Sequence, residues 1–179
     1  MAGRALIVID TQKGFTRIGN LASERTTAAV PRIRDIVAEE RGAGTPIIFT
    51  KDSHVENDLE FEMFPPHCIV GTEEHDLVEE LQGFEADAAA VIEKRRYSAF
   101  FETDLEKVLT RLDPDEVHVV GVCTDICVLH TTADLRNRDY RVVIRRDGVE
   151  TFDAPGHDGD EVNRFALAHV EGILGAKVV

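Results

Sequence analysis

Short apolar runs of strand length alternate along this chain with longer stretches whose apolar residues recur every three or four positions. The runs are Ala5 to Ile9, Thr45 to Thr50, Ala88 to Ile92, Val117 to Val122 (interrupted by one His) and Val142 to Ile144. The periodic stretches carry Val30, Ile33 and Val37; then Leu77, Val78 and Leu81; then Leu105, Val108, Leu109 and Leu112; then Ile126, Leu129 and Ala133; then Val162, Phe165, Ala166 and Val170. The first pattern predicts buried strands and the second predicts amphipathic helices. Punctuation agrees: Pro31 suits a first turn, Gly42, Gly44 and Gly83 suit stops, Thr103 with Glu106 reads as a capping box, and Thr124 and Asp125 can cap the helix that follows. Ala176 to Val179 can add a short edge strand. Strand and helix alternating in this way predict a mostly parallel sheet with right-handed crossovers. The expected fold class is α/β: a single three-layer α/β/α domain with five or six strands, spanning residues 1–179.

Composition narrows the function classes. At 43% hydrophobic and 30% charged the chain has the make-up of a globular protein, and its 34 acidic against 20 basic residues give a net charge of -14. Such a charge repels nucleic-acid backbones and anionic membranes, so neither is an expected partner. No apolar run approaches membrane-spanning length and no export signal is legible, so a cytoplasmic location is expected, and the three cysteines read as free thiols.

The chemistry-bearing residues gather at strand ends, where an open parallel sheet presents its ligand crevice. Asp10 follows the first strand, Lys94 the third and Cys127 the fourth. A cysteine in the first turn of a helix meets unpaired N–H groups that favour thiolate, although the same position suits a packing cysteine. Phe15 reads as core or pocket wall. After the second strand, Asp52 and His54 stand two apart and can face one side of an extended segment, with Glu60 or Glu62 and His67 across an acidic loop. Two imidazoles with one or two carboxylates suit a divalent zinc, iron or manganese ion with positions left open. A solvated loop holding two histidines is the plainer reading of the same residues.

Taken together, Val8-Ile9-Asp10, Phe64-Pro65-Pro66-His67, Lys94 with Tyr97-Ser98-Ala99-Phe100, Gly121-Val122-Cys123-Thr124-Asp125-Ile126-Cys127 and Phe165-Ala166-Leu167 resemble the isochorismatase-like cysteine hydrolases, and among them the nicotinamidases. The resemblance implies Asp10 as general base, Lys94 as its cationic partner and Cys127 as nucleophile. It implies a cis bond between Val122 and Cys123, an oxyanion hole from the N–H groups of Cys123 and Cys127, and a metal on Asp52, His54, Glu60 and His67. Phe15, Phe64 and Tyr97 match positions that enclose the substrate ring, and assembly as a homo-oligomer is expected. The implied reaction converts nicotinamide to nicotinate and ammonia. Hydrolysis of another small amide, carbamoyl or ureido, and a non-catalytic binding or redox module are the alternatives, and Cys123 adds a thiol able to pair oxidatively with Cys127.

Overall fold

The computed structural model describes residues 3–179. Six strands, β1 (Arg4–Ile9), β2 (Ile47–Asp52), β3 (Ala90–Lys94), β4 (Glu116–Val122), β5 (Val142–Glu150) and β6 (Lys177–Val178), form one sheet in the order β3-β2-β1-β4-β5-β6. Every pairing is parallel. The central strands are buried on both faces, which is why they read as unbroken apolar runs rather than alternating ones. The helices are α1 (Lys13–Thr16), α2 (Glu24–Gly42), α3 (Glu79–Glu85), α4 (Leu105–Leu112), α5 (Leu129–Asn137) and α6 (Gly159–Gly172). One apolar cluster joins Leu6, Val8 and Phe49 to Val30, Ile33 and Val37 of α2 and to Leu81 of α3. A second joins Ile7, Ile9 and Val119 to α4, α5 and α6. The sheet therefore lies between two helical layers, as the alternation predicts.

Several boundaries differ from those expected, each for a local reason. Strands β2 and β3 lie about two residues further on, so Asp52 and Lys94 end their strands and pair directly in register. Helix α2 begins at Glu24 because the Ser23 side chain accepts from the Arg25 N–H, and this places Pro31 inside the helix rather than in its first turn. The stretch from Glu73 to Leu81 is not one helix. A short turn at Glu73–His75 is followed by extended residues, because Leu77 bridges Gln12 and the Val78 N–H donates to the Thr11 carbonyl; Gly83 then falls within α3. At α4 the capping box does not form: Thr103 accepts from the Leu105 N–H, while Glu106 lies near Arg138 instead. Strand β5 runs to Glu150, past a register shift opposite Val119 and Gly121.

Gly121 explains that irregularity. Its φ of +120° suits only glycine, and a Cβ there would run into the Ile9 backbone. β1 and β4 thus approach closely at their carboxyl ends, beside Asp10 and the turn that carries the cysteines.

Candidate active site

Three strand ends bring Asp10, Lys94 and Cys127 together. Lys94 Nζ lies 2.7 Å from Asp10 Oδ2, 3.5 Å from Cys127 Sγ and 3.2 Å from Asp52 Oδ1. Asp10 itself has φ +42°, an uncommon backbone conformation for a non-glycine residue, at the point where the chain leaves β1. The Val122–Cys123 peptide bond is cis, as expected. Beyond it, Thr124–Val128 forms one wide π turn that runs into α5. Such turns are rare and concentrate at functional sites. The Cys123 carbonyl accepts from the N–H groups of Ile126, at 3.2 Å, and Val128, at 3.1 Å, and so passes over that of Cys127 between them. Thr124 and Asp125 do not cap: Asp125 turns to Thr151 and His157.

The expected metal residues also converge. One donor atom each from Asp52, His54, Glu60 and His67 lies within 4.8 Å of all the others, and all four residues are buried. Asp52 Oδ2 is 3.1 Å from His54 Nε2 and 3.3 Å from His67 Nε2, and Glu60 Oε1 is 3.8 Å and 3.9 Å from the same two nitrogens. Glu60 is brought in by the short helical turn Leu59–Glu62, whose start is capped by Asp58; Glu62 is exposed and stands outside the group. Both imidazoles are oriented from behind. His67 Nδ1 donates to the Pro65 carbonyl at 2.8 Å, and His54 Nδ1 lies 3.2 Å from Asp58 Oδ2, near enough to pair although off the line of a good hydrogen bond. A proton held on each Nδ1 would leave each Nε2 free to donate its lone pair to a metal ion.

A pocket of about 480 Å³ opens onto both groups, its lining including Asp52, Glu60 and His67 together with Cys123 and Cys127. Phe15, Phe64 and Tyr97 also line it. Phe64 and Tyr97 meet edge to face at 6.4 Å, and Phe15 lies 5.4 Å from the His67 ring.

The chain matches the isochorismatase domain over residues 4–170. It belongs to the isochorismatase family. The uncharacterized isochorismatase family protein PncA of Bacillus subtilis is 41% identical over 98% of each chain. The crystal structure of a pyrazinamidase/nicotinamidase from Streptococcus mutans superposes with a TM-score of 0.90 at 34% identity, covering 99% of this chain and 100% of that one. The pyrazinamidase of Pyrococcus horikoshii in complex with zinc superposes with a TM-score of 0.86 at 30% identity, covering 98% of both chains.

Burial sets the electrostatics of this family member's site. It pushes the Cys127 thiol well above its ordinary value, with the Lys94 ammonium pulling the other way. Taking the thiolate charge out of water opposes the pull of the helix start and of Lys94. Burial also raises the Asp10 carboxyl, against Lys94 and the Thr50 hydroxyl. For Asp52 burial is outweighed by Lys94 and the two histidines, which hold it below the usual carboxylate range. For Lys94 burial is outweighed by Asp10, Asp52 and Cys127, which raise it well above its usual value.

Four contributors escaped the sequence reading. Thr50 bonds both the backbone and the carboxylate of Asp10. Gln12 accepts from the Asp52 N–H at 2.6 Å and donates to the Asp52 carbonyl at 3.0 Å, fixing the end of β2. Asp58 supports His54, and Phe152 lines the pocket. Asp58, an acceptor standing just before Leu59-Glu60-Phe61-Glu62, carried a cap signal that could have revealed it; Thr50 and Gln12 become visible only once the strands are paired.

Proposed function

We propose that this chain is a nicotinamidase, hydrolysing nicotinamide to nicotinate and ammonia through a thioester on Cys127. The observation that carries this reading is Lys94. Its single ammonium contacts the candidate nucleophile, the candidate base and Asp52 of the four-residue donor group, and of these Cys127 and Asp52 line one aromatic-walled pocket with Asp10 buried behind them.

The donor group suits a divalent ion. Ligands about 2.0–2.1 Å from a tetrahedral zinc stand about 3.3 Å apart, which the two Asp52-to-histidine separations of 3.1 and 3.3 Å match and the Glu60 separations of 3.8 and 3.9 Å approach. Glu60 Oε2 is buried without a hydrogen-bond partner, with the Arg96 guanidinium no nearer than 4.0 Å, and a carboxylate so placed is stabilised by a cation in direct contact. Asp52, His54, Glu60 and His67 would hold zinc, or iron or manganese. When bound, the ion supplies a Lewis-acidic anchor for the pyridine nitrogen of the substrate.

The remaining steps fall to the chain's own residues. Asp10 Oδ2 is buried, close to Lys94 but outside hydrogen-bond alignment, and keeps a lone pair for the thiol proton of Cys127. The thiolate attacks the carboxamide carbon while the N–H groups of Cys123 and Cys127 receive the developing oxyanion. Collapse breaks the C–N bond, and ammonia leaves with the proton held by Asp10. Water then attacks the thioester, giving one proton to Asp10, and release of nicotinate returns the thiol. Lys94 balances whichever of Asp10 and Cys127 is anionic. Phe15, Phe64 and Tyr97 enclose the flat ring.

Ammonia release from nicotinamide tests the reading, run with wild type, with Cys127→Ala and with chelated protein restored by zinc, manganese or iron. Expected are turnover in wild type, loss in the variant and recovery with metal. A metal-loaded wild type that is silent on nicotinamide but active on a carbamoyl or ureido amide would replace the substrate and keep the nucleophile. The four buried donors weigh against that alternative, in which the metal site is vestigial.

A further inference from the structure

We infer that Phe152 is a specificity-determining wall of this pocket, held in place by an Asp125–His157 brace, and that it limits which ring-substituted amides the site accepts; the inference rests on the proposed amidase reading. The aromatic lining falls into two groups. Phe64 pairs with Tyr97, whereas Phe152 packs in a separate small cluster with Phe15, Leu21, Val122 and Cys123. Phe152 therefore faces the pocket from the side of the cysteine turn, where the carboxamide would be held.

Its position is set by unusually complete bonding. The His157 imidazole lies flat on the Phe152 ring, 4.2 Å between centroids and 2° between planes. His157 Nδ1 is 2.9 Å from the Phe152 carbonyl, and His157 Nε2 is 3.0 Å from Asp125 Oδ2. The other Asp125 oxygen accepts from the Thr151 hydroxyl at 2.6 Å. Both imidazole nitrogens and both carboxylate oxygens are thus committed, and Asp125 belongs to the same π turn as Cys127. The brace fixes the wall relative to the nucleophile.

The rest of the loop leaves little slack. Ala154 and His157 exchange backbone hydrogen bonds at 3.0 and 2.8 Å, and the Gly159 N–H donates to Asp153 at 2.7 Å. Arg25 holds both ends, reaching Glu150 at 3.0 Å and Asp160 at 2.7 Å. With one face covered by His157, the Phe152 ring meets the pocket with its other face or its edge. It carries no group that exchanges protons, so its effect belongs to binding rather than to the chemical steps. Asp125 and His157 act through it as positioning residues.

The test compares nicotinamide with 5-methylnicotinamide in wild type, Phe152→Ala, Phe152→Leu, His157→Ala and His157→Phe. Removing one ring from an aromatic enclosure raises the nicotinamide KM about tenfold in Phe152→Ala while kcat stays within about twofold, and shifts relative kcat/KM about tenfold toward the methylated amide. Phe152→Leu falls between. His157→Ala moves selectivity in the same direction, and so does His157→Phe, which keeps a stacked ring but makes neither bond of the brace; wild-type selectivity in His157→Phe overturns the Asp125–His157 brace. Unchanged KM and selectivity in folded Phe152→Ala overturn the wall. A His157→Ala protein that loses thermal stability with selectivity unmoved overturns the brace. Wild type without nicotinamide turnover overturns the proposed function instead, so the two failures are distinct.

Discussion

Replacing Thr50 with valine removes one hydroxyl from the centre of the site at nearly constant volume. That hydroxyl is buried, donates to Asp10 Oδ1 and accepts from the Asp10 N–H at 3.1 Å. A hydrogen bond to a charged group contributes about 1.5–3 kcal/mol, and one pKa unit corresponds to about 1.4 kcal/mol, so losing the donor disfavours ionised Asp10 by about 1–2 units. The direction follows from the balance already present: burial raises the Asp10 carboxyl, and Thr50 opposes it. Without Thr50 the carboxyl rises further. The acid limb of the kcat/KM profile, which reports the essential base of the free enzyme, moves to higher pH by that amount, while activity well above the limb stays close to wild type. The Asp10 N–H also loses its acceptor, so the variant unfolds at lower denaturant, by about 1–3 kcal/mol. Ammonia release followed from acid to mildly alkaline pH reads the limb, and a urea titration confirms folding. A folded variant whose acid limb coincides with that of wild type would refute Asp10 as the ionised base.

Three further outcomes are expected. Gly121→Ala forces a Cβ into the Ile9 backbone at a φ that other residues avoid, and lowers stability by about 4 kcal/mol or more, read as lost soluble yield or a collapsed denaturation midpoint. Asp58→Asn leaves His54 Nδ1 without its carboxylate and weakens zinc about 10–100-fold in a chelator competition, with the fold intact. For His157 burial is outweighed by Asp125 and the Phe152 carbonyl, so the folded pKa is raised. Its contribution is complete below the unfolded value near 6.5 and is lost as pH rises through the folded value, so the stability gap between wild type and His157→Gln narrows across that window; a gap independent of pH counts against the charged brace.

The parts of this design that sequence exposed are those encoded by single residues at strand ends. Asp10, Lys94 and Cys127 each follow an apolar run, and a parallel sheet aligns such ends without further information. Asp52 and His54 share a side because extended chain alternates, and the structure keeps them together. What stayed hidden depends on contacts between distant segments. Thr50 looks like one more strand residue until β2 lies beside β1. Leu77 and Val78 have helical spacing, yet their backbone is claimed by Thr11 and Gln12, a tertiary demand that periodicity does not carry. Asp125 illustrates the opposite error: its position reads as a cap, but its carboxylate finds Thr151 and His157 from a loop that follows it by more than twenty residues.

The surroundings of Cys127 show why the site needs all of its charges at once. A buried Cys127 beside Asp10 and Asp52 alone would hold its proton tightly, since two anions and low dielectric both oppose thiolate. Lys94 is the counterweight, and it is itself buried, so it stays charged only because Asp10 and Asp52 flank it. Asp52 in turn divides its two oxygens, Oδ1 toward Lys94 and Oδ2 toward His54 and His67. Taking away any one of these groups leaves an uncompensated charge for the others to absorb. The candidate nucleophile and the candidate metal site are therefore one electrostatic unit with Asp52 as the shared member, and substitutions at Asp52 and Lys94 should be strongly non-additive.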